Sequence, residues 1–139
     1  MSKAKMNLNN VTVKYAREED GRSVLTALIT ADQQKAIFEK IIEEFGEDAA
    51  AEAKWIPAKE SDEYGLYVKA QTNYRVAFYE DGIESDTVSS VDELGKGAVV
   101  DLFLSIGESK FRRDKGFTAY LSAVNVHKFG ELEKFNPFA

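Results

Sequence analysis

The chain has 139 residues and a net charge of −6, with 44% hydrophobic and 30% charged residues. These values are typical of one globular domain with a core large enough to fold alone. Cysteine is absent, which excludes disulfides, zinc–thiolate sites and a cysteine nucleophile. No apolar run is long enough to cross a bilayer, and the first ten residues lack the apolar segment of a signal peptide. We therefore expect a cytoplasmic protein with no membrane partner.

The chain divides into a flexible N-terminal arm over residues 1–9, one domain over 10–130 and a C-terminal tail over 131–139. Alternating apolar and polar residues predict a strand over 11–15, in which Val11, Val13 and Tyr15 alternate with Thr12, Lys14 and Ala16. A second strand is predicted over 23–30. The two are expected to form an antiparallel hairpin.

A helix is predicted from Thr30 to about Phe45. Thr30 and Gln33 have the spacing of a capping box, and Gly46 is a suitable C-terminal stop. Apolar residues recur at helical spacing, which indicates a helix that covers the end of a sheet. A second short helix is predicted over 47–55.

A polar loop is predicted over residues 59–63, followed by a strand over 64–72 and a shorter strand over 75–80. The first of these strands would place Leu66, Val68 and Ala70 towards the core and Tyr67, Lys69 and Gln71 outwards. Residues 83–94 are predicted to be irregular.

The two longest strands are predicted over 97–106 and 117–128, and the last is long enough to require a bulge or bend. The pattern predicts a mainly β protein with a helical insertion. It fits an oligonucleotide-binding (OB) fold, a five- to six-stranded, partly open antiparallel barrel. The main helix follows the second strand here, whereas a common variant places it after the third.

A basic loop joins these two strands. It contains Phe111, Arg112, Arg113 and Lys115, and the segment 96–128 carries a local charge of +3 on an otherwise acidic chain. Cations that follow a phosphate backbone and aromatic faces that stack on bases are what single-strand binders need. The alternative is a solvated hairpin tip with Phe111 packed onto the barrel.

An outward row of aromatic and cationic residues lies on the predicted middle strands. Its members are Tyr67, Lys69 and Gln71, joined by Tyr74, Arg75 and Tyr79. Such a row indicates a binding surface, and the alternative is ordinary cross-strand pairing on a half-covered sheet.

Catalysis is not expected. Asp81, Glu84 and Asp86 lie close enough in sequence to hold a hard cation, but a polar turn explains them better. His127 is the only histidine and is interpreted as structural. We expect no cofactor and no resident metal.

Five sequence blocks resemble phage-type single-stranded DNA-binding proteins with an OB fold. They are VTVKYA at 11–16, a strand followed by a helix at 23–45, YVKAQT at 67–72, GAVV at 97–100 and GFTAYLSAVNV at 116–126. Their order and spacing carry the resemblance, and the last block is the most telling.

The resemblance covers roughly residues 10–130. It implies non-sequence-specific binding and protection of single-stranded DNA in phage replication, repair or recombination, in the host cytoplasm and without catalysis. Bases would stack on some of Tyr67, Tyr79, Phe103, Phe111 and Tyr120. Phosphates would be met by Lys14, Lys69, Arg75, Arg112, Arg113 and Lys115.

The resemblance also implies that the C-terminal tail recruits replication or recombination proteins, since Glu131 and Glu133 precede its aromatic end. The oligomeric state stays open, a homodimer included. One alternative function is a phage accessory module that uses the same barrel to hold a host protein. Another is a metal-dependent nuclease centred on Asp81 and Glu84.

Overall fold

A computed structural model describes residues 4–53, 57–61, 63, 65–108 and 116–130. The elements in chain order are β1 (Ala4–Glu19), β2 (Arg22–Leu28), α1 (Ala31–Phe45), α2 (Glu47–Glu52), β3 (Ala58–Ser61), β4 (Gly65–Thr72), β5 (Ala77–Glu80), β6 (Ile83–Glu84), a 3-10 helix (Val91–Glu93), β7 (Val99–Glu108) and β8 (Phe117–Lys128).

The strands form one sheet in the order β3-β4-β2-β1-β7-β8-β5-β6, and an additional pairing between β4 and β8 closes it. The closing pair is parallel and matches Ala70 with Ala119 and Gln71 with Tyr120. Strands β1, β2, β4, β7 and β8 thus make a five-stranded barrel, and β3, β5 and β6 extend its margins. The predicted OB fold is confirmed, with the main helix after the second barrel strand as the sequence indicated.

The barrel interior is filled by alternate residues of its strands. On β7 the inward side chains of Val100, Leu102, Leu104 and Ile106 are at most 1% exposed, as the alternation predicted. On β8, Ser122 and His127 are extra residues that interrupt the register with β7. These two bulges are the irregularity that its length required.

Helix α1 covers one end of the barrel. The predicted capping box is present: Thr30 Oγ1 accepts from Gln33 N at 3.2 Å, and Gln33 Oε1 accepts from Thr30 N at 2.9 Å. The helix buries Ile37 and Ile41, and the ring of Phe45 lies 4.9 Å from that of Phe117. The helix therefore adds to the core.

Three predictions about irregular segments were wrong. Residues 83–94, predicted to be irregular, contain the strand β6 (Ile83–Glu84) and the 3-10 helix (Val91–Glu93). Residues 4–9 belong to β1 rather than to a flexible arm, because Ala4 and Leu8 are buried and pair with Ile106 and Leu102 of β7. Intervening lysine and asparagine residues, which face solvent, hid this alternation. Residues 58–61 form β3 rather than a polar loop, since an edge strand with one partner tolerates charged side chains.

Within the described ranges, no helix is long and apolar enough to cross a membrane.

Candidate nucleic-acid interface

A bulge in β1 shapes the outer face of the barrel. Val13 pairs with Ala27 and Tyr15 pairs with Thr26, so Lys14 is an extra residue between them. The bulge breaks the simple alternation predicted for this strand: Val13 points into the core, whereas Tyr15 is 47% exposed. An aromatic ring thereby comes to lie on the outer face of the barrel.

A groove of about 680 Å³ runs over the outer face of β1, β2 and β4. We call it the binding groove. Its lining contains two aromatic rings, three cationic side chains, two acidic ones and a floor of small side chains. The lining residues are Tyr15, Arg17, Glu19, Asp20, Arg22, Val24, Thr26, Tyr67, Lys69 and Asn73.

The strand register explains why these side chains converge. Thr26 of β2 lies between Tyr15 of β1 and Lys69 of β4. Two residues further along β2, Leu28 pairs with Tyr67 of β4. Two predicted site residues, Tyr67 and Lys69, are thus neighbours on the same three-stranded face as Tyr15.

Contacts within the binding groove hold two of its cations in place. The guanidinium of Arg17 lies 5.8 Å from the ring centroid of Tyr15, and it also forms an ion pair with Glu19. Arg22 Nη2 donates to Gln71 Oε1 at 2.6 Å, which links β2 to β4. The positive charge of the groove is therefore positioned before any ligand arrives.

Tyr120 lies close to this face. It pairs with Gln71 in the parallel β4–β8 contact, so it continues the outer row that contains Val24 and Gln71. Its side chain is partly buried. Lys14 occupies the bulge position of β1 and is also partly buried.

The remaining described site residues lie elsewhere. Phe103, 38% exposed, pairs with Asn7 and Ala123 on the face of β1, β7 and β8. Tyr79 pairs with Asn125 and Glu84 beyond that face, on β5. Arg75 is exposed in the connection before β5. The structure therefore brings Tyr67 and Lys69 together in the binding groove, places Tyr120 on the neighbouring strand β8, and separates all three from Phe103 and Tyr79.

The basic loop with Phe111, Arg112, Arg113 and Lys115 lies outside the described residues. Its anchors are described: Glu108 and Phe117 form the β7–β8 pair next to the loop. The roles assigned to the four loop residues stay predictions.

A polar network lies around His127. Its Nδ1 is 3.1 Å from Asp81 Oδ1 and its Nε2 is 2.7 Å from Asp101 Oδ2, and both contacts raise the pKa of His127. Burial acts to raise the pKa of Asp101, but hydrogen bonds from Asn10 N, Asn125 Nδ2 and His127 outweigh it and lower that pKa.

This network also bears on the acidic set Asp81, Glu84 and Asp86. Asp81 is engaged with His127, and Glu84 lies on β6. Among the described residues, no group of three histidine, cysteine, aspartate or glutamate side chains is placed to hold a metal ion. The arrangement is that of a structural clamp between strands.

The fold is similar to those of phage proteins of known structure. The single-stranded DNA-binding protein from bacteriophage Enc34 matches with a TM-score of 0.65 at 18% identity, over 96% of this chain and 85% of that one. Its structure in complex with single-stranded DNA gives 0.66 at 18% identity, over 96% and 90%. The single-stranded DNA-binding protein gp2.5 of bacteriophage T7 gives 0.67 at 15% identity, over 96% and 90%.

The chain has the fold of these phage proteins. The resemblance inferred from the sequence blocks is confirmed at that level. No protein-family model matches the sequence, and comparison with curated proteins finds no match.

In OB folds generally, oligonucleotides bind to the face of the second and third strands and to the loops after the first and fourth strands. The corresponding parts here are β2, β4, the β1–β2 turn at Asp20 and Gly21, and the loop between β7 and β8. The binding groove covers the first three of these parts, and the basic loop is the fourth.

Sequence reasoning missed Tyr15, Arg17, Arg22 and Asn73 as groove residues. Arg17 and Arg22 flank the β1–β2 turn of the predicted hairpin, and the general role of that turn in ligand binding by OB folds was a signal for them. Tyr15 had no such signal, because the bulge that turns it outwards depends on pairing with β2.

Proposed function

We propose that this protein binds single-stranded DNA without sequence specificity, and that it does so in phage DNA replication, repair or recombination. The observation that carries the proposal is the binding groove, in which Tyr15 and Tyr67 lie beside Arg17, Arg22 and Lys69 on the face of β1, β2 and β4. The aromatic rings in the groove lining offer stacking surfaces for bases, and the cations meet the phosphates between them.

The lack of sequence specificity follows from the chemistry of these contacts. Every base has a flat face, so stacking on Tyr15 and Tyr67 does not distinguish one base from another. Phosphate contacts by Arg22 and Lys69 likewise carry no sequence information. The proposal involves no catalytic step and no cofactor.

A net charge of −6 does not oppose this proposal. Phosphates respond to the local field, and charges further away than about 8–10 Å are largely screened at physiological salt. Helix α1, which carries acidic side chains, follows the Leu28 end of β2 in the chain, whereas Arg22 lies at the other end of β2. The basic loop adds four further cationic side chains in sequence between β7 and β8.

The wider predictions are part of the same proposal. We take residues 10–130 as the DNA-binding domain, extended by residues 4–9 of β1, and residues 131–139 as a tail for replication or recombination proteins. A homodimer is compatible with this arrangement. Arg112, Arg113, Lys115 and Phe111 would extend the DNA path beyond the described residues, with Tyr120 beside it.

The test is fluorescence anisotropy with a labelled oligo-dT at several salt concentrations, beside duplex DNA and RNA of equal length. We expect tight binding to the single strand that weakens as salt rises, because bound cations are released from the phosphates. Lys69→Ala should weaken binding and reduce the salt slope by about 1.

Lys35→Ala is the matched control, since Lys35 is an exposed cation of helix α1 and pairs with Glu39. It should leave both affinity and slope unchanged. If the wild-type protein fails to bind oligo-dT at low salt, the proposal is wrong.

A protein-interaction module is the second reading, and one observation favours it. Ile83 is 74% exposed on β6, which is the edge strand of the sheet next to β5. An apolar residue at an open sheet edge is suited to pairing with a strand of a host protein. Loss of partner capture by Ile83→Lys, together with no binding to oligonucleotides, would support this reading.

A further inference from the structure

A second pocket, of about 230 Å³, adjoins the binding groove. The two spaces share Asn73, and they lie on either side of the β1–β2 turn, where Glu19 and Asp20 line the groove and Glu18 and Gly21 line the pocket. We call this space the extension pocket. A single DNA strand that leaves the binding groove at this end would reach the extension pocket next.

Tyr74 stands in the lining of the extension pocket and is 84% exposed. Its backbone N–H donates to Thr72 Oγ1 at 3.0 Å, so the turn that carries the ring is fixed to the end of β4. At 84% exposure the ring of Tyr74 offers a face for stacking. Arg75 follows it, is exposed, and forms no ion pair within the described part of the chain.

The base of the extension pocket is apolar and its wall is fixed. Val76 and Phe78 line it and are each 5% exposed. Ser90 Oγ donates to Glu18 Oε2 at 2.8 Å, and this contact joins the start of the 3-10 helix to the end of β1. The pocket therefore exists before a ligand binds.

The charges of the pocket determine which part of a nucleotide it takes. Glu18 carries a carboxylate in the lining, which disfavours a phosphate there, whereas a neutral base tolerates it. Arg75 supplies a cation beside the pocket for the neighbouring phosphate. The volume leaves room for one base rather than a run of bases.

We propose that the extension pocket takes one base of a single strand that continues past the binding groove, with Tyr74 stacking on that base and Arg75 meeting the adjacent phosphate. This inference rests on the proposed function, and it adds a direction to the DNA path: from the face of β1, β2 and β4, across Asn73, to the end of the barrel. It also predicts a longer footprint than the binding groove alone provides.

The test is the affinity of oligo-dT of increasing length for the wild type, Tyr74→Ala, Tyr74→Phe and Phe38→Ala. Tyr74→Ala should match the wild type on the shortest oligonucleotides that bind, and bind longer ones about 5- to 150-fold more weakly, because one stacking surface is lost. Tyr74→Phe keeps the ring and should retain wild-type affinity. Phe38→Ala removes an exposed ring of helix α1, 38% exposed, and should have no effect.

The outcomes separate the two proposals. If the wild type binds and Tyr74→Ala binds with the same affinity at every length, the extension pocket is overturned and the proposed function stands. An equal loss at every length also overturns it, since Tyr74 would then belong to the groove itself. No binding of the wild type at any length overturns both.

Discussion

The Nε2 atom of His127 lies 2.7 Å from Oδ2 of Asp101, and this contact ties the end of β8 to β7. The other ring nitrogen lies 3.1 Å from Asp81 Oδ1, in the turn after β5. An imidazole donates from both nitrogens only when it is protonated. The charged form of His127 is therefore the one that joins the three strand ends.

This geometry predicts that stability depends on pH near neutrality. The folded pKa of His127 is raised above its ordinary value of 6.5, so the folded state binds the proton more tightly than the unfolded state. The stabilisation is fully present below 6.5 and is lost as pH rises through the raised pKa. Urea unfolding of the wild type from about pH 5.5 to about pH 8.5 should show this decline.

His127→Gln is the control for that measurement, because glutamine does not titrate. Its unfolding midpoint should stay flat over the same range. Parallel profiles for the wild type and His127→Gln would contradict the assignment.

A second prediction concerns Gly130, which lies against the backbone before β7. Its N–H donates to Leu94 O at 2.8 Å. A Cβ at this position would lie closer than 3.0 Å to backbone atoms of Lys96, Ala98 and Gly95. Since backbone atoms cannot move aside as a flexible side chain does, Gly130→Ala should destabilise the protein by about 1–3 kcal/mol in urea unfolding. Ser122→Ala, at an exposed bulge position, should change the free energy by less than about 0.5 kcal/mol.

A third prediction distinguishes the two aromatic faces of the barrel. Tyr67→Ala removes a stacking surface of the binding groove and should weaken oligo-dT binding by about 1–3 kcal/mol, whereas Tyr67→Phe should not. Phe103→Ala, on the face of β1, β7 and β8, should leave affinity unchanged. Anisotropy titrations measure all three, and a larger loss for Phe103→Ala would move the site to that other face.

A fourth prediction concerns the basic loop. Changing Arg112 and Arg113 together to alanine should weaken binding equally for oligonucleotides of different sequence and reduce the salt slope by about 2. The measurement is the dependence of affinity on salt concentration for two unrelated sequences. An unchanged slope would remove the loop from the binding surface.

Local patterns in the sequence were sufficient for most of the fold. Buried side chains recur at every second position at Val100, Leu102 and Leu104, and Thr30 forms a capping box. Both features depend on neighbours within a few residues. Such features are encoded locally and can be recognised without knowledge of the tertiary structure. The order of these elements then favoured a barrel.

The candidate site was harder to predict because it depends on pairing between distant segments. The β1 bulge that turns Tyr15 outwards exists only in the register with β2. Similarly, Tyr67 and Phe103 look alike in the sequence, and only the order of strands in the barrel places them on different faces. Strand order and register are set by the complete chain, which local patterns do not contain.

The pairing of Ala70 with Ala119 has a consequence for how the protein folds. Strand β8 pairs with β4, β5 and β7, so each of these three strands keeps one edge unpaired until β8 is in place. During synthesis the emerging chain therefore exposes open hydrogen-bonding edges until residue 128 has left the ribosome, and chains that stop before it are candidates for aggregation. Long-range closure of this kind also slows folding, since distant segments must meet before the contact is made.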